Sequence, residues 1–249
     1  MSTLKAVSLD VGWTLAYPAE SMWAIYARIC REEGVPTVAE DCERLLRNLL
    51  SAGHEQAQER FRSGAEYRDS DAEFAGAFVQ LSHLIFGQAG LGERAAELSE
   101  RFFAAFWNED NWRAFPDSVA VIQALRTRGL KVGVLSNASS DLPKFLARLG
   151  ILPHLDFVVV SAIEGVKKPD RRIFERTLER AGVAAGEHLH VGDMFLEDVL
   201  GAAALGVRAL LIERGEHAMF PSFRESEGRD LPAGTVVRDL RQVLEIVSD

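Results

Sequence analysis

The sequence predicts a doubly wound α/β domain with a helical insert close to its start, and three observations carry that reading. Short apolar runs rich in Val, Leu and Ile end in small or polar residues. From about residue 114 onward these runs alternate with amphipathic helical stretches. Between the first run and the second lie residues 18–112, which carry almost no strand signal.

The first run is "AVSLD" (6–10), followed later by "KVGVLSN" (131–137), "DFVVVS" (156–161), "HLHVGD" (188–193) and "VRALLIE" (207–213). None alternates apolar with polar residues, as expected of strands covered on both faces in a parallel sheet. The insert is rich in Ala, Leu, Glu, Arg and Phe at helical spacing, as in "SMWAIYARIC" and "LSERFFAAFW", with "FRSGAEYRDSDAEF" (61–74) as a connection inside it. Its aromatics, among them Trp23, Tyr26, Phe102, Phe106 and Trp107, are expected to pack between helices. Residues 18–112 are thereby assigned to an all-helical domain, and 1–17 with 113–249 to the α/β core. After the insert, Pro116 and Asp117 open a helix that Gly129 stops, Asp141 and Gly150 bracket a second, and Asp170 to Gly182 a third. The tail reads as a loop (214–234) containing the solvated tract "RESEGRD", then a short strand and a helix through "DLRQVLEIV".

With 249 residues, 47% hydrophobic and 26% charged, the chain is long enough to bury a sizeable core. A net charge of -9 without any basic cluster argues against nucleic acid as a partner. No stretch approaches the roughly 20 apolar residues of a membrane span. Cys30 and Cys42 have no metal-ligand or redox spacing and read as free thiols in a reducing cytoplasm. With no basic segment leading into an apolar run at the start, the expectation is a soluble, unprocessed cytoplasmic protein.

Ligands of open parallel sheets bind at the carboxyl ends of the strands. Four predicted strands end on or near useful groups: Asp10, Ser136 with Asn137, the Lys167/Lys168 pair, and Asp193. Together they offer a carboxylate nucleophile, a hydroxyl and an amide for phosphoryl oxygens, an ammonium to balance charge, and further carboxylates for a hard cation. Each alone has an ordinary reading as a turn, a cap or a solvated loop residue. Their joint order is what distinguishes them. His188 and His190 alternate on one strand and so lie on one face, either packed and hydrogen-bonded or as a metal pair.

The ordered set Asp10-x-x-x-Thr14, "LSN" (135–137), "KKPD" (167–170) and "GDMFLED" (192–198) resembles the haloacid dehalogenase-like (HAD) superfamily, subfamily I, whose C1 helical cap falls where the insert does. The resemblance implies a Rossmann-like core and a phosphatase acting on a small phosphorylated molecule with Mg²⁺. It makes Asp10 the nucleophile, which forms an aspartyl-phosphate. Ser136 and Lys168 then contact the transferring phosphoryl group, with Thr14 and Asn137 beside it, while Trp13, directly after the nucleophile and leading into the insert, is placed to lie against the substrate. Asp10, the Gly12 carbonyl, Asp193 and Asp198 are implied to hold the metal, Asp198 directly or through water.

The chain departs from the pattern at one place. Phosphatases of this superfamily usually read DxDGT, the second Asp acting as acid and base; here that residue is Gly12, and Trp13 replaces the usual glycine. Losing such a group costs roughly 10² to 10⁴ in rate. The expected enzyme is therefore slow, favouring aryl or acyl phosphates whose leaving groups need no proton. A cap carboxylate is one substitute, Glu20 being nearest in sequence. Two other functions stay open: a catalytically silent protein that binds a phosphorylated ligand or a partner, and a metal-free dehalogenase, against which Asp193 and Asp198 argue. The absence of lysine from residues 18–112 argues against a phosphonatase, which needs a cap lysine.

Overall fold

The computed structural model describes residues 3–220, 231–232 and 234–247. In chain order they form β1 (Ala6–Leu9), β2 (Ala16–Pro18), α1 (Met22–Glu32), α2 (Ala39–Arg62), α3 (Asp71–Gln88), α4 (Ala95–Phe106) and β3 (Trp112–Ala114). Then follow α5 (Ser118–Thr127), β4 (Lys131–Ser136), α6 (Leu142–Arg148), β5 (Phe157–Val160), α7 (Ser161–Glu164) and α8 (Arg171–Ala181). The chain closes with β6 (His188–Gly192), α9 (Gly201–Ala203), β7 (Arg208–Ile212), β8 (Val236–Val237) and α10 (Arg241–Ile246). The tract "RESEGRD", and most of the loop expected at 214–234, lies outside the described residues.

Six strands form one parallel sheet in the order β5-β4-β1-β6-β7-β8. The chain builds outward from β1 in one direction through β4 and β5, then restarts at β6 and builds the other way. That reversal opens a crevice at the carboxyl ends of β4, β1 and β6. The strands are covered on both faces: Val7, Leu9, Val132, Val134, Leu189 and Val191 are fully buried. This is why they read as unbroken apolar runs. Helix α8 shows how local signals set an element: the Asp170 side chain accepts from Arg172 N–H at 3.0 Å at its start, and Gly182 takes the left-handed conformation that ends it. Its buried face is Ile173, Phe174, Thr177 and Ala181.

The chain divides into two compact units, one of Met1–Tyr17, Gly64–Asp71 and Ala114–Asp249, the other of Pro18–Ser63 and Ala72–Arg113. The second unit is helical. Its core includes Tyr26, stacked on Phe102 with centroids 3.9 Å apart and bonded through its hydroxyl to Ser82 at 2.8 Å. Cys30 and Cys42 are buried free thiols there, and burial pushes Cys42 up to about 12. Among the described residues no helix is long and apolar enough to cross a membrane.

One stretch departs from the sequence reading. Gly64–Asp71, expected as a connection inside the helical domain, belongs to the α/β unit. Arg68 pairs antiparallel with Val166, Lys167 N–H donates to Tyr67 O at 2.9 Å, and Asp69 N–H donates to Gly165 O. Side chains complete the join: Asp170 accepts from Tyr67 N–H at 3.1 Å, and Asp71 accepts from both the backbone and the hydroxyl of Ser140 at 2.7 Å. The interval 18–112 is thus two helical pieces separated by a return to the core. Strands β2 and β3, also absent from the sequence reading, form a two-stranded sheet. Three residues are too few to show a period.

The sheet tolerates no side chain at Gly133, where a Cβ would lie 2.3 Å from the ring of Phe157 on the neighbouring strand. Gly133→Ala is expected to destabilise the protein by about 1–3 kcal/mol through overpacking. The shift of the urea midpoint measures it.

Candidate active site

Asp10 lies immediately after β1, its N–H donating to Val191 O at 2.8 Å, and its side chain is buried. Lys168 reaches it from the far side of β4. The ammonium donates to Asp10 Oδ1 at 2.8 Å, to Asp198 Oδ1 at 2.5 Å and to Leu135 O at 3.4 Å. Burial alone would lower the Lys168 pKa, yet the two carboxylates outweigh it and hold the ammonium charged well above its ordinary range. Asn137 fixes the Lys168 backbone on both sides, its Oδ1 accepting from Lys168 N–H at 2.8 Å and its Nδ2 donating to Lys168 O at 3.1 Å. Ser136, at the end of β4, favours the charged form of Asp10.

Asp198 is the most engaged carboxylate. Besides Lys168, its Oδ1 lies 2.9 Å from His190 Nε2, and its Oδ2 accepts from Met194 N–H at 2.9 Å. Burial would raise its pKa, but Lys168 and His190 carry it well below the usual carboxylate range. Gly192 makes room for it: a Cβ there would fall 2.1 Å from the Asp198 carboxyl carbon. Only glycine permits that approach.

The remaining carboxyl groups are held the other way. Burial, reinforced by neighbouring negative charge, raises Asp10 and pushes Asp193 well above its ordinary value. Glu197, whose Oε2 accepts from Asn137 Nδ2 at 2.8 Å, is pushed up to about 7, mainly by burial. Four carboxyl groups thus surround a single buried ammonium. Such an excess suits a hard divalent cation, and Asp10, Asp193 and the Gly12 carbonyl are the donors free for one. Among the described residues no three His, Cys, Asp or Glu side chains are drawn together as a metal group. Asp198 is already occupied by its three partners. Two carboxylates and a carbonyl are still a fitting set for Mg²⁺, which keeps several waters and takes substrate oxygens as ligands.

The turn after Asp10 holds the other expected residues. Gly12 has no left-handed φ, and a Cβ built on it meets no heavy atom within 4 Å. Trp13 has φ 52°, the one non-glycine residue with positive φ among those described. That conformation is natural for the glycine usual at this position and strained for a tryptophan. Thr14 is buried, its Oγ1 lacking a hydrogen-bond partner among the described residues, while its carbonyl accepts from Arg214 at 2.6 Å. Thr14 therefore does not join the bonded cluster that unites Asp10, Asn137, Lys168 and Asp198. Glu20 is tied to Arg28 at 3.0 and 3.1 Å within the helical unit.

Sequence reasoning missed Glu197, Ser8 and the link from His190 to Asp198. Glu197 looked like a spacer within the last motif. The alternating His188 and His190 in an otherwise apolar run were the available signal, since buried polar groups need partners. Both bond Ser8 Oγ at 2.8 Å, so they are not a metal pair.

A family model described as haloacid dehalogenase-like hydrolase matches residues 17–206. The chain belongs to the haloacid dehalogenase-like hydrolases. A member of this HAD family from Danio rerio, haloacid dehalogenase-like hydrolase domain-containing protein 3, is 32% identical over 68% of this chain and 81% of its own length. Glyceraldehyde 3-phosphate phosphatase of Methanothermobacter thermautotrophicus is 35% identical over 98% of this chain and 100% of its own. Phosphoserine phosphatase of Thermus thermophilus is 38% identical over 51% and 50%. The chain spans between half and three fifths of several other curated relatives, such as 60% of the bovine and 53% of the mouse protein 3. A dehalogenase solved with an intermediate has the same fold, with TM-score 0.68 and 20% identity over 100% of this chain and 99% of that one. The fold of this HAD hydrolase is thus an α/β core of the Rossmann-like kind.

Two outcomes test this geometry. Glu197 binds its proton more tightly folded than unfolded, so its contribution to stability is greatest at low pH and is lost as pH rises from 4.5 towards about 7. In metal-free buffer the urea midpoint should fall across that window, and Glu197→Gln should flatten the fall. At the strained turn, Trp13→Val should be less stable than Trp13→Asn by about 1–2 kcal/mol, because asparagine tolerates positive φ and a β-branched residue does not.

Proposed function

We propose that this HAD hydrolase is a phosphatase acting on a small phosphorylated molecule through an Asp10 aspartyl-phosphate, and that it turns over slowly because Gly12 supplies no acid or base. The observation that carries the reading is the Asp10–Lys168 contact at 2.8 Å at the carboxyl edge of β1, within a cluster of surplus carboxylates. The phosphatase names of full-length and half-length relatives support it.

In this reading an Asp10 carboxylate oxygen attacks phosphorus while the bond to the leaving oxygen breaks. Lys168 balances the charge that gathers on the phosphoryl oxygens and Ser136 orients the group, while the Asn137 amide, expected to lie against the phosphate, is instead taken up by the Lys168 backbone and Glu197. Asp10, Asp193 and the Gly12 carbonyl would hold Mg²⁺, which supplies further charge stabilisation when bound. A leaving alkoxide needs a proton that Gly12 cannot deliver, whereas an aryl or acyl leaving group departs as a stable anion. Water must then attack the aspartyl-phosphate without a base at position 12, so the intermediate persists. The helical unit corresponds to the C1 cap.

The test is aryl phosphate release with Mg²⁺, in single and multiple turnover, for the natural protein, Asp10→Asn and Gly12→Asp. A burst followed by slow turnover is expected, abolished by Asp10→Asn. Gly12→Asp should raise steady turnover by up to roughly 10²- to 10⁴-fold, and the open space at position 12 admits the side chain. No release above the Asp10→Asn background in either other protein would instead support a silent protein that binds a phosphorylated ligand. Equal turnover of aryl and alkyl phosphates without a burst would overturn the account of Gly12.

A further inference from the structure

Behind the site, buried polar groups continue into the sheet. Ser8 on β1 stands opposite His190 on β6, and its Oγ lies 2.8 Å from both His190 Nδ1 and His188 Nε2. His190 Nε2 lies 2.9 Å from Asp198 Oδ1, the oxygen that also takes the Lys168 ammonium at 2.5 Å. Ser8, His188, His190 and Asp198 are all buried.

The proton positions along this chain follow from counting donors. Asp198 is a carboxylate, so His190 Nε2 must carry hydrogen and donate. Ser8 has one hydrogen and sits between two ring nitrogens. If Ser8 donated towards His188, the remaining hydrogen of a neutral His188 would sit on Nδ1, which has no hydrogen-bond partner among the described residues. A buried orphan N–H is rarer than a buried orphan acceptor. The chain therefore runs the other way, from His188 Nε2–H to Ser8 Oγ, and from Ser8 O–H to His190 Nδ1. Burial keeps His188 neutral, its pKa lowered to about 3.

We propose that Ser8, His188 and His190 are positioning residues: their one-way hydrogen-bond chain holds His190 in the tautomer that donates to Asp198, and so fixes the carboxylate that clamps Lys168 against Asp10. The roles of Lys168 and Asp10 in this statement rest on the phosphatase reading, whereas the chain itself does not. On this account Asp198 serves the lysine rather than a cation. With its Oδ1 shared by Lys168 and His190, and its Oδ2 on Met194 N–H, the carboxylate cannot turn without breaking a bond to a fixed partner. A ligand oriented through a histidine hydrogen bond is held as metal ligands are held by their outer partners.

The first measurement needs no variant and no activity. In the ¹⁵N-labelled whole protein, long-range ¹H–¹⁵N spectra of the imidazole rings should show both His188 and His190 as neutral rings protonated at Nε2. His190 protonated at Nδ1, alone or together with Nε2, would overturn the proposal. The second follows the Lys168 ammonium hydrogens, whose exchange with water is slowed by the two carboxylates. His190→Leu should speed that exchange, and His190→Gln, which restores an amide donor at similar reach, should slow it again. Ser8→Ala should leave His190 in a mixture of tautomers and give an intermediate rate.

Where the natural protein shows a burst with aryl phosphate, His190→Leu should lower the burst rate about 10- to 100-fold and His190→Gln should recover most of it. A folded His190→Leu protein with unchanged ammonium exchange would overturn the positioning role. Should the natural protein release no phosphate above the Asp10→Asn background, the phosphatase reading fails alone, because the imidazole and ammonium spectra decide the relay without it.

Discussion

One buried ammonium organises the centre of this molecule. Lys168 spans Asp10 and Asp198 at 2.8 and 2.5 Å, joining the element after β5 to the ends of β1 and the helical turn after β6. Removing one member of a buried ion pair leaves an uncompensated charge, typically at a cost of about 3–5 kcal/mol. The triad is therefore a structural constraint, and on the proposed phosphatase reading a catalytic one as well. Its members come from segments far apart in sequence, and only the sheet order β5-β4-β1-β6 brings them together.

That sheet is packed closely enough for two glycines to be obligatory for different reasons. Gly133 lets the Phe157 ring lie flat across a strand, and Gly192 lets the Asp198 carboxyl sit against the end of β6. The first serves the core and the second serves the site. A strand end that must carry a reactive group cannot also carry bulk where that group's partner approaches.

Much of this was legible because burial on two faces writes itself into composition. Strand runs such as "KVGVLSN" and the Asp170-to-Gly182 helix appear within a residue or two of their expected ends. The site residues were legible for a related reason: they stand where a strand stops, and their order along the chain resembles that of a family. What escaped had no such signature. The return of Gly64–Asp71 to the core is made mainly by backbone hydrogen bonds, with Arg68 opposite Val166, so its polar side chains still read as a loop. The bond from His190 to Asp198 links a strand face to a residue eight positions on, a relation that depends on the turn between them. Glu197 was hidden because its neighbour Asp198 claimed the motif position.

The turn after Asp10 separates two properties that are usually entangled. Adding catalytic groups to a protein commonly costs stability, because reactive carboxylates are placed where folding would prefer something else. At position 12 that conflict is relaxed: the backbone has no left-handed φ, and an added Cβ meets no described heavy atom within 4 Å. The adjoining tryptophan, in contrast, sits at a positive φ that strains a bulky side-chain-bearing residue. Under the proposed phosphatase reading, chemical speed at this centre is an adjustable setting with little mechanical consequence, and exchanging one side chain would carry the scaffold between a fast hydrolase and a slow, long-lived phosphoprotein.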